Sequence, residues 1–172
     1  PVTSGFDGTL GGARDAFVAK VASGSPPSFV WGAYLGGTGE EWATGMALSE
    51  GKLFAVGNTT SADLSAAQGF DSSYGGGYDA FVAEINPDFP DLAWSSYLGG
   101  SAYDVAVAVV AAAAGTVVVA GTTLSADFAP TGGFDLSFAP GSDGFVARVG
   151  DLLPSGFACT AAAQCLTGIC EA

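Results

Sequence analysis

The side chains that carry most enzyme chemistry are scarce in this chain. It contains no histidine, which excludes catalysis and metal ligation by imidazole. Its three cysteines have no histidine or basic neighbour that would lower the pKa of a thiol, so a catalytic thiolate is not expected. Spacing alone leaves open a carboxylate pair of the glycosidase kind, but the only adjacent acids, Glu40 and Glu41, would point apart in an extended chain. The sequence therefore predicts a protein that is not an enzyme.

Acidic side chains are the remaining candidates for a metal site, because Ca²⁺ takes about six to eight oxygen ligands. Those that fall in expected loops are Glu40, Asp63, Asp71, Asp104, Asp127 and Asp135. No Asp-x-Asp-x-Asp-Gly run of the kind that forms a calcium loop accompanies them. The sequence favours solvated loop acids over a calcium site, and it predicts no other cofactor.

Three further aspartates, Asp15, Asp79 and Asp143, are spaced 64 residues apart. Each is followed by Ala or Gly and then by Phe-Val-Ala, and each comes after a glycine-rich or polar turn. An aspartate in such a position commonly accepts hydrogen bonds from backbone N–H groups of the turn. Because every copy keeps the aspartate, we expect it to fix the turn and not to bind a ligand.

Aromatic side chains are the candidates for stacking on a sugar ring. Two of them recur with a common spacing, as Trp31 with Tyr34 and Trp94 with Tyr97. Residues three apart in a strand lie on opposite faces, which favours packing between neighbouring sheets. Trp42 has no aromatic counterpart 64 residues later, where Ala106 stands. Trp42 is therefore the better candidate for a ligand contact specific to this repeat, while packing in the core is the default expectation for it as well.

The repeated aspartates introduce the first of four short strands in each repeat. In the first repeat the strands are expected at 16–21, 29–35, 43–50 and 52–59. The first strand is apolar on both faces, which suits a sheet covered on both sides. The distance from Trp31 to Trp94 is 63 residues and not 64. We therefore expect a one-residue insertion in the following Gly-Gly loop or just after it, where a surface loop tolerates it.

An uncharged stretch from Val105 to Gly121 could be mistaken for a membrane span. It is slightly shorter than the roughly 20 residues that a helix needs to cross a bilayer. The equivalent stretch of the first repeat contains Glu50 and Lys52. The sequence therefore predicts a buried hairpin here, and no membrane span.

Two complete repeats occupy residues 5–68 and 69–132, and a third begins at residue 133 and ends at residue 150, before a cysteine-containing tail at 151–172. Tandem four-stranded antiparallel units that are apolar on both faces are typical of propeller blades. A β-sandwich would be polar on its outer faces, and solenoid coils are shorter. The sequence predicts an all-β fold of about two and a quarter propeller-type blades.

Three linked motifs carry a family resemblance: Gly-Gly-x-x-Asp-Ala-Phe-Val-Ala-Lys, Trp-x-x-Tyr-Leu-Gly-Gly and Val-x-Gly-x-Thr-x-Ser-x-Asp-Phe. Over residues 5–150 the chain resembles the bacterial seven-bladed β-propeller repeat family. The resemblance implies an extracytoplasmic bacterial protein built of propeller blades, with no common chemistry. The tail, with Cys159, Cys165 and Cys170, resembles short cysteine modules of secreted myxobacterial-type proteins.

The net charge and the positions of the cysteines limit which partners and which cellular location are expected. Seventeen acids against four bases give a net charge of −13, which disfavours nucleic acids and anionic membrane surfaces. All three cysteines lie in the tail, which predicts a disulfide-bonded module with one unpaired thiol. The sequence predicts an extracellular or cell-surface protein. It shows no signal peptide, and we expect Pro1 to be a processed N-terminus or a cut end.

Two blades and a fraction cannot close a ring, because propellers have about four to eight blades. An open stack leaves apolar faces and strand edges in water. Completion by other copies of the chain or by further sequence is therefore expected, either as a ring or as a fibre. The sequence favours a structural or adhesive module that associates with itself, and the alternative is a carbohydrate-binding, lectin-like propeller.

Overall fold

Short apolar-rich segments, separated by turns that often contain glycine, form strands throughout the computed structural model. It describes residues 5–65, 69–128, 137–139 and 141–150. In this part of the chain there are nine strands and no helix: β1 (Ala16–Ala22), β2 (Ser28–Leu35), β3 (Glu41–Ser49), β4 (Lys52–Thr59), β5 (Asp79–Asn86), β6 (Asp91–Leu98), β7 (Asp104–Ala111), β8 (Thr116–Thr123) and β9 (Asp143–Gly150).

The strands form three antiparallel sheets that pack face to face. Sheet 1 contains β1 and β2, sheet 2 has the order β3-β4-β5-β6, and sheet 3 has the order β7-β8-β9. This is the predicted all-β arrangement of propeller-type blades, and the stack is open and not closed into a ring. Sheet 2 is the one complete four-stranded blade among the described residues.

The sheets are offset by half a repeat from the sequence units. Sheet 2 takes the β3–β4 hairpin from the first 64-residue repeat and the β5–β6 pair from the second, joined where Val56 lies opposite Val82. The period of the motif gives the length of a blade but not the residue at which a blade begins. That starting point is decided by hydrogen bonding between β4 and β5.

The one-residue insertion lies in the β7–β8 turn. The β3–β4 turn has two residues, Glu50 and Gly51, with φ angles of 48° and 80°, which suits a tight hairpin. In the second repeat the Ala112 N–H donates to the Thr116 carbonyl at 2.8 Å, so three residues form the turn. The expected insertion in the Gly-Gly loop or just after it is therefore wrong, because a hairpin turn absorbs one residue without disturbing either strand.

Two apolar cores fill the spaces between the sheets. Between sheets 1 and 2 lie Val18, Trp31, Phe81, Ile85 and Tyr97, and between sheets 2 and 3 lie Phe54, Val56, Val82, Val119 and Phe145. Strand β5 is buried on both faces, as expected for a blade between two neighbours. The uncharged stretch from 105 to 121 forms the β7–β8 hairpin. The predicted burial is wrong for β7, where Val107 and Val110 are exposed because no sheet of the described residues covers the outer side of sheet 3, whereas β8 is largely buried. The described part of the chain has no helix that could span a membrane.

Candidate functional site

Trp42 lies in an open cleft where sheets 2 and 3 meet. The cleft has a volume of about 230 Å³ and is lined by Trp42, Asn58, Tyr78 and Val105. Asn58 is held in place because its side-chain oxygen accepts the Ala106 N–H at 2.9 Å. This arrangement places the aromatic rings of Trp42 and Tyr78 beside an amide. It could take a small ligand that stacks and hydrogen-bonds, such as a sugar.

Trp42 belongs to a row of side chains in contact, with Arg14 on one side and Tyr78 and Tyr103 on the other. The Arg14 guanidinium lies over the Trp42 ring, 4.8 Å from its centroid, in cation–π geometry. The ring of Tyr78 lies 5.3 Å from that of Trp42 and 5.2 Å from that of Tyr103. The row forms because the residues just before the strands pair across the sheets, Arg14 with Glu40 and Tyr78 with Tyr103.

The position equivalent to Trp42 in the second repeat is Val105 and not Ala106. Glu41 lies opposite Thr59 and Asp104 lies opposite Thr123, so the spacing of 63 continues into β7. Trp42 is still without an aromatic counterpart. No sequence pattern marks Tyr78, Tyr103 or Arg14 as part of this cleft, since only the parallel bridges bring them beside Trp42.

The acids considered for calcium are dispersed. Asp63 accepts the Thr38 N–H at 2.9 Å, and Asp127 accepts the Ser101 N–H at 2.9 Å; these backbone hydrogen bonds lower the pKa of each carboxyl. Asp71 accepts the Ser73 N–H at 2.8 Å. The remaining acids of the set lie apart: Glu40 is in the bridge to Arg14, Asp104 is buried, and Asp135 lies outside the described residues. The described residues contain no group of three or more acids, histidines or cysteines placed to hold a metal ion.

The repeated aspartates at the strand starts accept backbone N–H groups of the preceding turns. Asp15 accepts those of Gly11 and Gly12 at 2.9 and 3.2 Å, Asp79 accepts that of Gly75 at 2.8 Å, and Asp143 accepts that of Ala139 at 2.6 Å. Each carboxylate thereby ties the loop to the first residues of its strand. This is the turn-fixing arrangement described for such aspartates above.

A buried pair of carboxylates distinguishes the second repeat. Asp79 and Asp104 are fully buried, and the Oδ1 atom of each has no hydrogen-bond partner. The position that a Cβ on Gly99 would occupy is 3.0 Å from Asp79 Oδ1 and 3.0 Å from Asp104 Oδ2, so the two groups lie side by side. Burial raises the pKa of Asp79 to about 6, and the neighbouring charge of Asp104 adds to this rise.

The corresponding pair in the first repeat is fully hydrogen-bonded. Both oxygens of Asp15 accept N–H groups, and Glu41 is one methylene longer than Asp104. The extra length lets the Glu41 carboxylate accept hydrogen bonds from the Gly37 N–H and from the hydroxyls of Thr59 and Ser61. The two repeats thus share a fold but differ in how completely their buried acids are satisfied.

The repeated strand aromatics contribute mainly to packing. The indole N–H of Trp31 donates to the Pro87 carbonyl of sheet 2 at 3.1 Å, and Trp94 packs edge-on against Phe54. The Tyr97 hydroxyl donates to the Ser61 carbonyl at 2.8 Å. Tyr34 is half-buried on the outer side of sheet 1.

Among the described residues, two apolar surfaces are exposed at the ends of the stack. The N-terminal face is the outer side of sheet 1, formed by Phe17, Ala19, Val21, Phe29 and Tyr34. The C-terminal face is the outer side of sheet 3, formed by Val110, Val118, Ala120 and Val146. Phe17 and Val146 are each 67% exposed, whereas their equivalents in sheet 2, Phe81 and Val82, are 0% exposed.

Comparison with protein-family models and with curated proteins gives no match to this chain. The disulfide candidates Cys159, Cys165 and Cys170 lie outside the described residues. The features that bear on function are therefore the Trp42 cleft, the buried carboxylate pair and the two exposed faces.

Proposed function

We propose that the chain is a non-enzymatic, extracellular structural or adhesive module that associates with copies of itself through its exposed blade faces and edges. The observation that carries this proposal is the contrast between equivalent positions of the repeat. Phe17 is 67% exposed, whereas Phe81 in the complete blade is fully buried. A side chain that packs between sheets in one repeat is left in water in the other.

Burial of these side chains gives the driving force for association. Fully burying an exposed aromatic or branched apolar side chain contributes roughly 1.5–3 kcal/mol. The side chains that are 53–67% exposed on the two faces, and so can gain part of this, are Phe17, Val21 and Phe29 on the N-terminal face and Val110 and Val146 on the C-terminal face. Free strand edges add to this, since among the described residues β1 pairs only with β2 and β9 only with β8. Exposed edges and apolar patches of this kind favour pairing with another chain. The resemblance to propeller repeats and the cysteine tail support an extracellular setting.

Sedimentation velocity over a range of protein concentrations tests this proposal. Wild type is expected to shift to larger species as concentration rises, and Phe17→Lys should reduce the shift. Phe89→Lys is the matched control, because Phe89 is 75% exposed but lies in the β5–β6 turn, away from both faces. A wild-type chain that stays monomeric at every concentration contradicts the proposal.

A carbohydrate-binding module is the second candidate, and the Trp42 cleft favours it. Its aromatic wall, the Asn58 amide and the nearby Arg14 are the groups that recognise a sugar ring. A glycan array probed with wild type and with Trp42→Ala tests this function. Hits that free sugar blocks and that the variant loses would support it, whereas hits that the variant retains would place the binding elsewhere.

A further inference from the structure

The two sides of the Asp-x-Phe-Val strand have different partners inside the chain. Phe81 points toward sheet 1, where it meets Val18, and Phe145 points toward sheet 2, where it meets Val82. In both interfaces the phenylalanine side of one blade packs against the valine side of its neighbour. Neither interface joins two phenylalanine sides or two valine sides.

The two exposed faces are the unmatched halves of this same pairing. The N-terminal face presents the phenylalanine side of β1, with Phe17 at its centre. The C-terminal face presents the valine side of β9, with Val146 at its centre. The N-terminal face therefore offers the phenylalanine side, and the C-terminal face offers the valine side against which such a side packs inside the chain.

We infer that the N-terminal face of one copy of the chain packs on the C-terminal face of a second copy, head to tail, in the way sheet 2 packs on sheet 1. This inference rests on the proposed self-association and specifies which surfaces meet. Because the two surfaces are unlike, each added copy leaves one free face at either end. The contact therefore propagates as a linear stack, or closes as a ring if the rotation between blades allows it.

A polar contact at the edge of the internal interface indicates the register. The ammonium group of Lys20 in sheet 1 donates to the Pro87 carbonyl at 3.0 Å and pairs with Asp88 at 2.9 Å, in the β5–β6 turn of sheet 2. Arg148 occupies the position of Lys20 in the third copy of the motif. Within its own sheet the Arg148 guanidinium donates to the Thr116 hydroxyl at 3.0 Å and to the Ala113 carbonyl at 3.3 Å. Arg148 is exposed on the same side of β9 as Val146. In the stacked pair it lies beside the β1–β2 turn of the next copy, whose carbonyl groups can accept its remaining N–H groups.

The alternative is a symmetric dimer in which two identical faces meet. It would place Phe17 against Phe17, or Val146 against Val146, an arrangement that neither internal interface uses. The two possibilities differ in a way that a mixing experiment detects.

The test uses two variants that each block one face, Phe17→Lys and Val146→Lys. Both side chains are mostly exposed, so neither change should disturb the fold, and circular dichroism checks this. Each variant alone is expected to be monomeric, with the apparent dissociation constant raised at least tenfold over wild type. An equimolar mixture should form a 1:1 dimer and nothing larger, because each variant keeps the face that the other has lost. Phe89→Lys is again the control and should assemble like wild type.

The outcomes separate this inference from the proposed function. If Val146→Lys alone still dimerises through its intact N-terminal face, or Phe17→Lys alone through its intact C-terminal face, the contact is symmetric and the head-to-tail inference is wrong while self-association stands. A mixture that remains monomeric while wild type assembles also overturns the inference. A wild-type chain that stays monomeric would contradict both the head-to-tail contact and the proposed self-association.

Discussion

The buried pair of Asp79 and Asp104 makes the stability of the second repeat dependent on pH. Each carboxylate has an oxygen without a hydrogen-bond partner, and the four cationic side chains are engaged elsewhere: Arg14 with Trp42, Lys20 with Asp88, Lys52 with Glu84 and Arg148 with Thr116. Besides Asp104, the ionisable group whose charge acts on Asp79 is Asp71, which also raises the pKa of Asp79. An ionised Asp79 therefore has no opposite charge close by.

The magnitude follows from the pKa of Asp79, which rises from 3.8 to about 6 on folding. At about 1.4 kcal/mol for each pKa unit, the difference amounts to at most about 3 kcal/mol. Because folding raises the pKa of Asp79, the folded state favours the protonated carboxyl. The resulting contribution to the free energy of unfolding is fully present below pH 3.8 and is lost as the pH rises through 6. At neutral pH this side chain weakens the fold.

Replacing Asp79 with asparagine tests this. The amide removes the buried charge, and its oxygen can still accept the Gly75 N–H. We expect Asp79→Asn to raise the free energy of unfolding at pH 8 by roughly 1–3 kcal/mol, with little effect near pH 4. The difference between variant and wild type isolates this group from the chain's other acids.

The matched control is Asp15→Asn at the equivalent position of the first repeat. Both oxygens of Asp15 accept backbone N–H groups, from Gly11 and Gly12. An amide there loses one acceptor, so this variant should be less stable than wild type by roughly 1 kcal/mol.

The assay is urea denaturation followed by tryptophan fluorescence between pH 4 and pH 8, at a protein concentration low enough to limit association. At pH 8 the free energy of unfolding is expected to be higher than that of wild type for Asp79→Asn and lower for Asp15→Asn. If Asp79→Asn is less stable than wild type at pH 8, or if its advantage does not shrink as the pH falls, the reasoning about the buried pair is wrong.

Two further predictions concern packing. Phe81→Ala should lower the free energy of unfolding by roughly 3–5 kcal/mol, whereas Phe17→Ala should change it by less than about 0.5 kcal/mol. Urea denaturation of the monomer measures both effects. Equal effects would contradict the assignment of Phe17 to an open face. Gly57→Ala should lower the melting temperature measured by calorimetry, because a Cβ there would clash with the Trp42 carbonyl oxygen. Gly8→Ala should leave the melting temperature unchanged, because the space around Gly8 is open. A tolerated Gly57→Ala would show that the strands at the Trp42 cleft can move apart.

The strands and their tandem arrangement could be predicted from the sequence, because they depend on local patterns. The Asp-x-Phe-Val strand is apolar on both faces wherever it occurs, and the turn at Gly51 needs a positive φ that glycine adopts readily. The exposed faces could also be expected, since two blades and a fraction leave their ends uncovered.

Three features depended on contacts between distant residues. The half-repeat offset of the sheets comes from pairing of β4 with β5, which the period does not specify. The Trp42 cleft needs Tyr78 and Val105 to approach from other strands.

The third feature is the pair of Asp79 and Asp104. Asp104 is one methylene shorter than Glu41, which stands at the equivalent position and bonds the Thr59 hydroxyl, and the Oδ1 atom of Asp104 has no hydrogen-bond partner. Local sequence determines the elements, because φ, ψ and the alternation of side chains are properties of short segments. Only the tertiary structure decides which side chains are covered and which polar atoms find a partner, because burial and hydrogen bonding depend on groups far apart in the chain.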